Sequence, residues 1–303
     1  MQESYTVYKG DIYSTEKEDY IRSISRAIVP AYEVVMPSTT TKEPSAKEFV
    51  VKSNQLVEAC YHLTLIEQQI ILYAICRSRE EQLGLSSDSL LTIHASAFVG
   101  KFDTNRGEVY RQMKSAITTL HTRSVKFYKA YPESGKASVI DTPWISSGTY
   151  IDGAGQIQIQ FAHEIIPLIT RLESRFTAYR LDRIERMTSV HAIRLYELMA
   201  QYLSLGKLTM EIAKLKEIFQ LTKQYAAIRD FKKWVVNVAV REINEHSNLI
   251  VGYKQQKTGR AVTHLLFDIK SKPKKGEIKP KKTGGAMHNM ASDIDNNDYQ
   301  GDM

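Results

Sequence analysis

Residues 208–219 read LTMEIAKLKEIF, and residues 91–102 read LTIHASAFVGKF. Leu91-Thr92-Ile93 matches Leu208-Thr209-Met210, and Phe102 matches Phe219, all at one offset of 117 residues. Each segment follows a helical stretch containing Leu-Tyr, at Leu72-Tyr73 and Leu195-Tyr196. Each precedes a longer helical stretch and then strand-like alternation. A period of 117 residues is too long for a solenoid, so the pattern reads as one small domain used twice.

The element order within each copy is a short strand (91–94, 208–210), a short helix (95–101, 211–218), a tight turn and a long helix. The first long helix is expected over 105–121, with Val109, Met113, Ala116, Ile117 and Leu120 as its buried face. Arg106, Tyr110, Arg111, Lys114 and Thr118 form its exposed face. The second is expected over 224–245, with Ile228, Phe231, Val235, Val238 and Ala239 buried. Arg229, Lys232, Lys233, Asn237 and Arg241 then lie on its other faces. Strands follow. The first copy has VKFYKA (125–130), VIDTPWISSGTYI (139–151), a DGAG turn and the alternating QIQIQF (156–161). The second has LIVGYKQQ and AVTHLLFDI around Lys257-Thr258-Gly259-Arg260, whose Thr-Gly tip suits a tight hairpin. Short helix, turn, long helix, hairpin is the order of a winged helix-turn-helix. The fold class is therefore α+β, with two tandem winged-helix domains at 48–174 and 175–270. Residues 1–47 form an extension ending in the linker-like MPSTTTKEPS, and residues 271–303 are expected to be a disordered tail.

The chain has 303 residues, 41 Lys plus Arg, 34 Asp plus Glu and a formal charge of +7. Residues 1–47 are net −1, residues 48–269 net +6 and residues 270–303 net +2. Most of the surplus therefore sits in the tandem core, where it implies an anionic partner such as nucleic acid. The longest apolar run, Ile70 to Cys76, is too short to span a bilayer. MQESYTVYKGDIY has no apolar signal region, and Cys60 and Cys76 read as buried free thiols. A cytoplasmic, soluble protein is expected.

Catalytic motifs are sparse. P-loop, G-x-G-x-x-G, H-E-x-x-H and G-x-S-x-G patterns are missing, and the eight histidines never form His-x-His. No catalytic residue, metal or cofactor is expected. One constellation competes: His191 and Arg194 form H-x-x-R, with Tyr225 downstream, as in enzymes whose cations hold a phosphate under tyrosine attack. Ala192, Leu195, Tyr196, Met199 and Leu203 of the same helix read as plain core. A tyrosine-type DNA strand-transfer enzyme is thus the alternative, beside a transcription regulator without a replication role.

A helix that fits the major groove needs donors on its exposed face near its N-terminal half. Tyr225, Arg229, Lys232, Lys233 and Asn237 meet this in the second copy, and Arg106, Arg111 and Lys114 in the first. Lys254, Lys257 and Arg260 at the second hairpin could reach phosphates or a minor groove. Seven lysines between 270 and 282 would add nonspecific attraction.

Four sets of segments complete the reading: VKSNQLVEACYHLT (51–64), TPWISS (142–147), RFTAYRL (175–181) with HAIRLYELMAQY (191–202), and DFKKW (230–234) with REINEHSNL (241–249) and KTGRAVTHLLFDI (257–269). Together they resemble the iteron-binding plasmid replication initiators, the Rep proteins. The resemblance implies that the second domain is the main reader of iterons, the direct repeats of a plasmid origin. Asp230-Phe231-Lys232-Lys233-Trp234 stands where the family has an Asp-Phe-Arg-Arg-Arg-like run, so lysines replace bidentate guanidinium forks. Implied partners are double-stranded DNA at origin repeats and at an operator inverted repeat, a homodimer in equilibrium with monomer, and the host replication initiator and replicative helicase. No membrane or cofactor is implied. The dimer surface is expected in the first domain, in the strand region from Trp144 to Ile159.

Overall fold

The computed structural model describes residues 48–86, 89–102, 106–131, 136–170 and 175–273. The expected extension 1–47 and the tail beyond Pro273 lie outside them. The two copies share one arrangement. In the first, after the short helix α1 (Asn54–Val57), helix α2 (Leu65–Glu81) leads to strand β3 (Leu91–His94), helix α3 (Ala95–Val99), helix α4 (Arg106–Leu120) and the hairpin of β6 (Ile145–Ile151) and β7 (Gln156–Phe161). The short helix α5 (Ile166–Thr170) follows, and in the second copy helix α6 (Val190–Gln201) leads to β9 (Lys207–Glu211), α7 (Ile212–Ile218), a long helix from Ile228 to His246 and the hairpin of β10 (Leu249–Thr258) and β11 (Ala261–Ser271). The short strand always pairs with the second hairpin strand: Leu91 faces Ile159, and Leu208 faces Phe267. The sheet orders β3-β7-β6 and β9-β11-β10 are therefore the same topology. The 117-residue repeat is thus a structural repeat, two winged helices in tandem.

The first copy carries an insertion. Strands β4 (Ser124–Tyr131) and β5 (Lys136–Pro143) form a hairpin that pairs with the short β2 (Cys60–Tyr61). Trp144 turns the chain from β5 into β6. It is fully buried, its backbone N–H donates to the Arg123 carbonyl at 3.3 Å, and its ring meets Tyr61 edge-on at 4.9 Å.

Helix α2 is buried on nearly all sides, from Ile70 through Cys76, because it is the central helix of the first copy. Thr64 starts it with a capping box: its hydroxyl accepts from the Glu67 N–H, and the Glu67 carboxylate accepts from the Thr64 N–H at 2.7 Å. Glu67 also accepts from Thr119 and from Arg123 Nε at 3.0 Å. Burial alone would raise its carboxyl above 4.5, but these donors prevail and hold it below. A depressed carboxyl adds stability above its unfolded value, and that stability is lost as pH falls through the folded value. Glu67→Gln should therefore flatten the loss of stability below about pH 4.5. It should also cost about 1–3 kcal/mol at neutral pH. Urea unfolding from pH 3 to 7 reads both; an unchanged acid limb would contradict the assignment.

The two halves are joined by more than chain. Strand β1 (Phe49–Ser53) pairs antiparallel with β8 (Phe176–Arg180), so the start of the first copy is laced to the approach of the second. Lys52 on β1 reaches Glu197 on α6 at 2.6 Å, with both side chains fully buried. The Tyr179 hydroxyl donates to the same carboxylate at 2.7 Å.

Candidate nucleic-acid interface

The second long helix starts at Ile228, not at 224. The preceding turn places Tyr225 at φ +53°, a left-handed backbone conformation, and Lys216 Nζ donates to its carbonyl at 2.7 Å. Tyr225 is half-buried against Phe231, with ring centroids 6.3 Å apart. The expected place of Tyr225 on an exposed helix face is therefore corrected: it braces the turn that launches the helix.

From Ile228 the chain is α-helical to Phe231, passes through a π turn at Lys232–Val236 and is α-helical again from Asn237 to His246. A π turn adds a residue to the helical repeat, and such turns recur at functional sites. Here it shifts the buried stripe. Phe231, Val235, Val236, Ala239 and Ile243 are buried, whereas Val238 is only half-buried. The solvent face carries Arg229, Lys233, Trp234, Asn237 and Arg241. Arg229 is open, held only by a 3.4 Å contact to its neighbour Asp230. Lys232 is half-buried beside this face, not central on it.

The hairpin stands next to the helix. The Tyr253 hydroxyl of β10 donates to Asn237 Oδ1, fixing the hairpin against the helix face. Asn244 closes the same joint, donating to the Val251 carbonyl at 2.9 Å and accepting from the Val251 N–H at 2.7 Å. Beyond it, residues 254–261 are all exposed. Gly259, at φ +63°, makes the reverse turn that a side chain would strain. Lys254, Lys257 and Arg260 lie along this tip, which contains no acid. Among the described residues these three form no ion pair.

The first copy is built alike but charged differently. Arg106 opens α4, and its side chain lies outside the described residues. Arg111 is exposed and only loosely paired with Glu108 at 3.4 Å. Lys114 is bound by Asp152, 2.9 Å away on the first hairpin's own turn, and it also lies over the Tyr150 ring. That turn, Asp152-Gly153-Ala154-Gly155, carries no cation. The matched pair of basic helix-hairpin faces expected from sequence is therefore unequal: the open cations cluster in the second copy.

Trp144, Ile145, Ile157 and Ile159, in the strand region assigned to dimerisation, are all core. Between them Ser146 and Thr149 are exposed, and Tyr150, Ile151 and Gln158 are half-buried. Arg194 is almost fully buried: it donates to the Ala59 carbonyl at 2.6 Å and stacks 3.7 Å from the Tyr61 ring centre. It is a structural cation at the junction of the two halves. His191 stacks on Phe219 at 5.2 Å, and burial, with His62 and Arg194 nearby, pushes it down to about 4, so it is neutral at pH 7. Sequence reasoning placed Arg241 on the helix face but did not count it among the DNA contacts, and it missed Trp234 as a surface residue and Tyr253 as the support of Asn237. The four-residue spacing of Arg229, Lys233, Asn237 and Arg241 was a readable signal; the π turn had none.

Comparison with known sequences fits this architecture. The family described as Initiator Replication protein, WH1 matches residues 49–200, and that described as Initiator Rep protein, WH2 matches residues 211–269. The chain belongs to this family of replication initiators. It is a plasmid replication initiator with DNA-binding winged-helix domains. The first match runs through β8 and α6, in keeping with the β1–β8 pairing. A 27.6 kDa uncharacterized protein of Escherichia coli is 25% identical over 229 residues, covering 73% of this chain and 93% of that one. The crystal structure of Pi initiator protein in complex with iteron DNA shares the fold, at a TM-score of 0.62 and 20% identity, over 75% of this chain and 98% of that one. The WH1 domain of MSBI1.176, a replication protein isolated from a multiple sclerosis patient, is 34% identical over 37% of this chain and 83% of its own, at a TM-score of 0.32. Among the described residues, no helix of the initiator is long and apolar enough to cross a membrane.

Proposed function

We propose that this initiator binds direct repeats at a plasmid origin chiefly through its second winged helix. The observation that carries the reading is the open face of Arg229, Lys233 and Asn237 beside an acid-free hairpin tip holding Lys254, Lys257 and Arg260. The helix suits the major groove, where its donors meet base edges, and the tip suits phosphates or the flanking minor groove. Arg106, Arg111 and Lys114 of the first copy act as auxiliary phosphate contacts, weakened at Lys114 by Asp152. Tyr225 serves by setting the start of the reading helix. Residues 48–174 and 175–270 are the working domains, and the lysine tail adds nonspecific attraction.

Monomers on several repeats bend the origin and favour opening of an adjacent A·T-rich stretch. Host initiator and helicase are recruited by contact. A homodimer, joined through the first domain, binds an inverted repeat and represses the protein's own promoter. The likeness to an initiator crystallised with iteron DNA supports the binding of direct repeats. The buried Arg194 and neutral His191 favour it over strand transfer, because neither offers a cation to a phosphate.

Footprinting of the full-length protein on the DNA flanking its reading frame tests the proposal. Protection should recur over direct repeats about 20 base pairs long, two helical turns. Protection of no repeated element would overturn the reading.

A further inference from the structure

Trp234 is the one large apolar side chain among the solvent-facing residues of the reading helix, and 58% of its surface is exposed. Exposed indole is costly to keep in water. The half-buried Ile228 and Val240, by contrast, pack on the core. Within the π turn Lys233 and Trp234 are adjacent on the solvent face, while Phe231, Val235 and Val236 are buried. The Lys233 ammonium lies over the indole, 4.7 Å from the ring centre. This cation–π contact restrains the ring and leaves its other side open. Arg229 precedes the pair and Asn237 follows it, so the indole sits in the middle of a row of hydrogen-bond donors.

We infer that Trp234 is a specificity residue that packs against the 5-methyl group of a thymine in the major groove. The inference rests on the proposed reading of DNA by this helix. The row of polar side chains argues for the groove, and the thymine methyl is the only apolar group that base edges present there. A protein partner seated on the same helix face would instead have to bury Arg229, Lys233 and Asn237 with the indole.

The test uses full-length protein and duplexes carrying the footprinted repeat, with each thymine replaced in turn by deoxyuridine to delete one methyl group. Wild-type protein should lose about fourfold in affinity at one thymine, the factor expected for one buried methyl group. Trp234→Ala should lose about tenfold on the unmodified repeat. It should show no further loss when that same thymine becomes deoxyuridine. Trp234→Phe, which keeps a ring, should retain part of the discrimination. Because the contact is apolar, Trp234→Ala should leave the salt dependence of binding unchanged, whereas Lys257→Ala at the hairpin tip, placed on phosphates, should lower its slope. Circular dichroism melts of each variant confirm folding, since the residue is exposed. Equal responses of wild type and Trp234→Ala to every thymine change would overturn the inference. So would unchanged DNA affinity in Trp234→Ala, which would assign the indole to a protein partner. Failure of wild-type protein to prefer the repeat over scrambled DNA would instead overturn the underlying reading of the helix, and the inference with it.

Discussion

Glu197→Ala should destabilise the folded protein by about 3–5 kcal/mol, the loss typical of removing one partner from a buried ion pair. Glu197 is completely buried and faces two cations, Lys52 at 2.6 Å and Arg194 at 3.6 Å. Removing the carboxylate leaves both cations in an apolar junction with only the Ala59 carbonyl and the Tyr61 ring and hydroxyl for company. It also strands the Tyr179 hydroxyl, whose proton is held tightly because burial and the adjacent Glu197 charge push its pKa far above 10. Tyr179→Phe, which deletes one hydrogen bond and keeps the charges, should cost only about 1 kcal/mol. Urea unfolding at pH 7 separates the two. Near-equal midpoints for wild type and Glu197→Ala would mean that this cluster does not hold the halves together.

The second large effect concerns DNA. Arg229→Ala combined with Lys233→Ala should remove several kcal/mol of repeat-specific binding, at about 1–3 kcal/mol for each base contact. Both side chains are exposed, so the fold should survive. The two residues sit one turn apart on one face, and their effects need not add. The matching change in the first copy, Arg111→Ala with Lys114→Ala, should act weakly and without regard to sequence, because Asp152 already engages Lys114. A loss of equal size from both pairs of changes would show that the copies share the reading.

Much of this architecture was legible because it depends on local pattern. The spacing of Val109, Met113, Ala116, Ile117 and Leu120 gave the buried face of α4, and all five are buried. The Leu-Thr-Ile and Leu-Thr-Met strands were visible as a repeat, and each pairs with a hairpin strand in the same way. What failed was set by distance along the chain or by helix irregularity. Arg194 invited a chemical role because it forms H-x-x-R with His191, with Tyr225 downstream, and its burial gave no local sign. The reason lies at Ala59 and Tyr61, more than 130 residues earlier, which no spacing rule connects to it. Lys52 and Glu197 are equally remote in sequence. The core holds Val236 where a regular helical wheel over 224–245 placed Val238, a shift that goes with the π turn and that spacing could not show. Lys114 looked like an open donor until the hairpin turn brought Asp152 beside it.

The central claim is that this face reads repeated DNA, not merely negative charge. Its most direct measurement is the affinity of the full-length protein for one origin repeat and for a scrambled duplex of equal length and composition, titrated across salt concentration. Both affinities should fall as salt rises, through release of counterions from neutralised phosphates. The repeat should remain preferred by about a thousandfold or more at physiological salt. Equal affinity for the two duplexes throughout the titration would contradict the account.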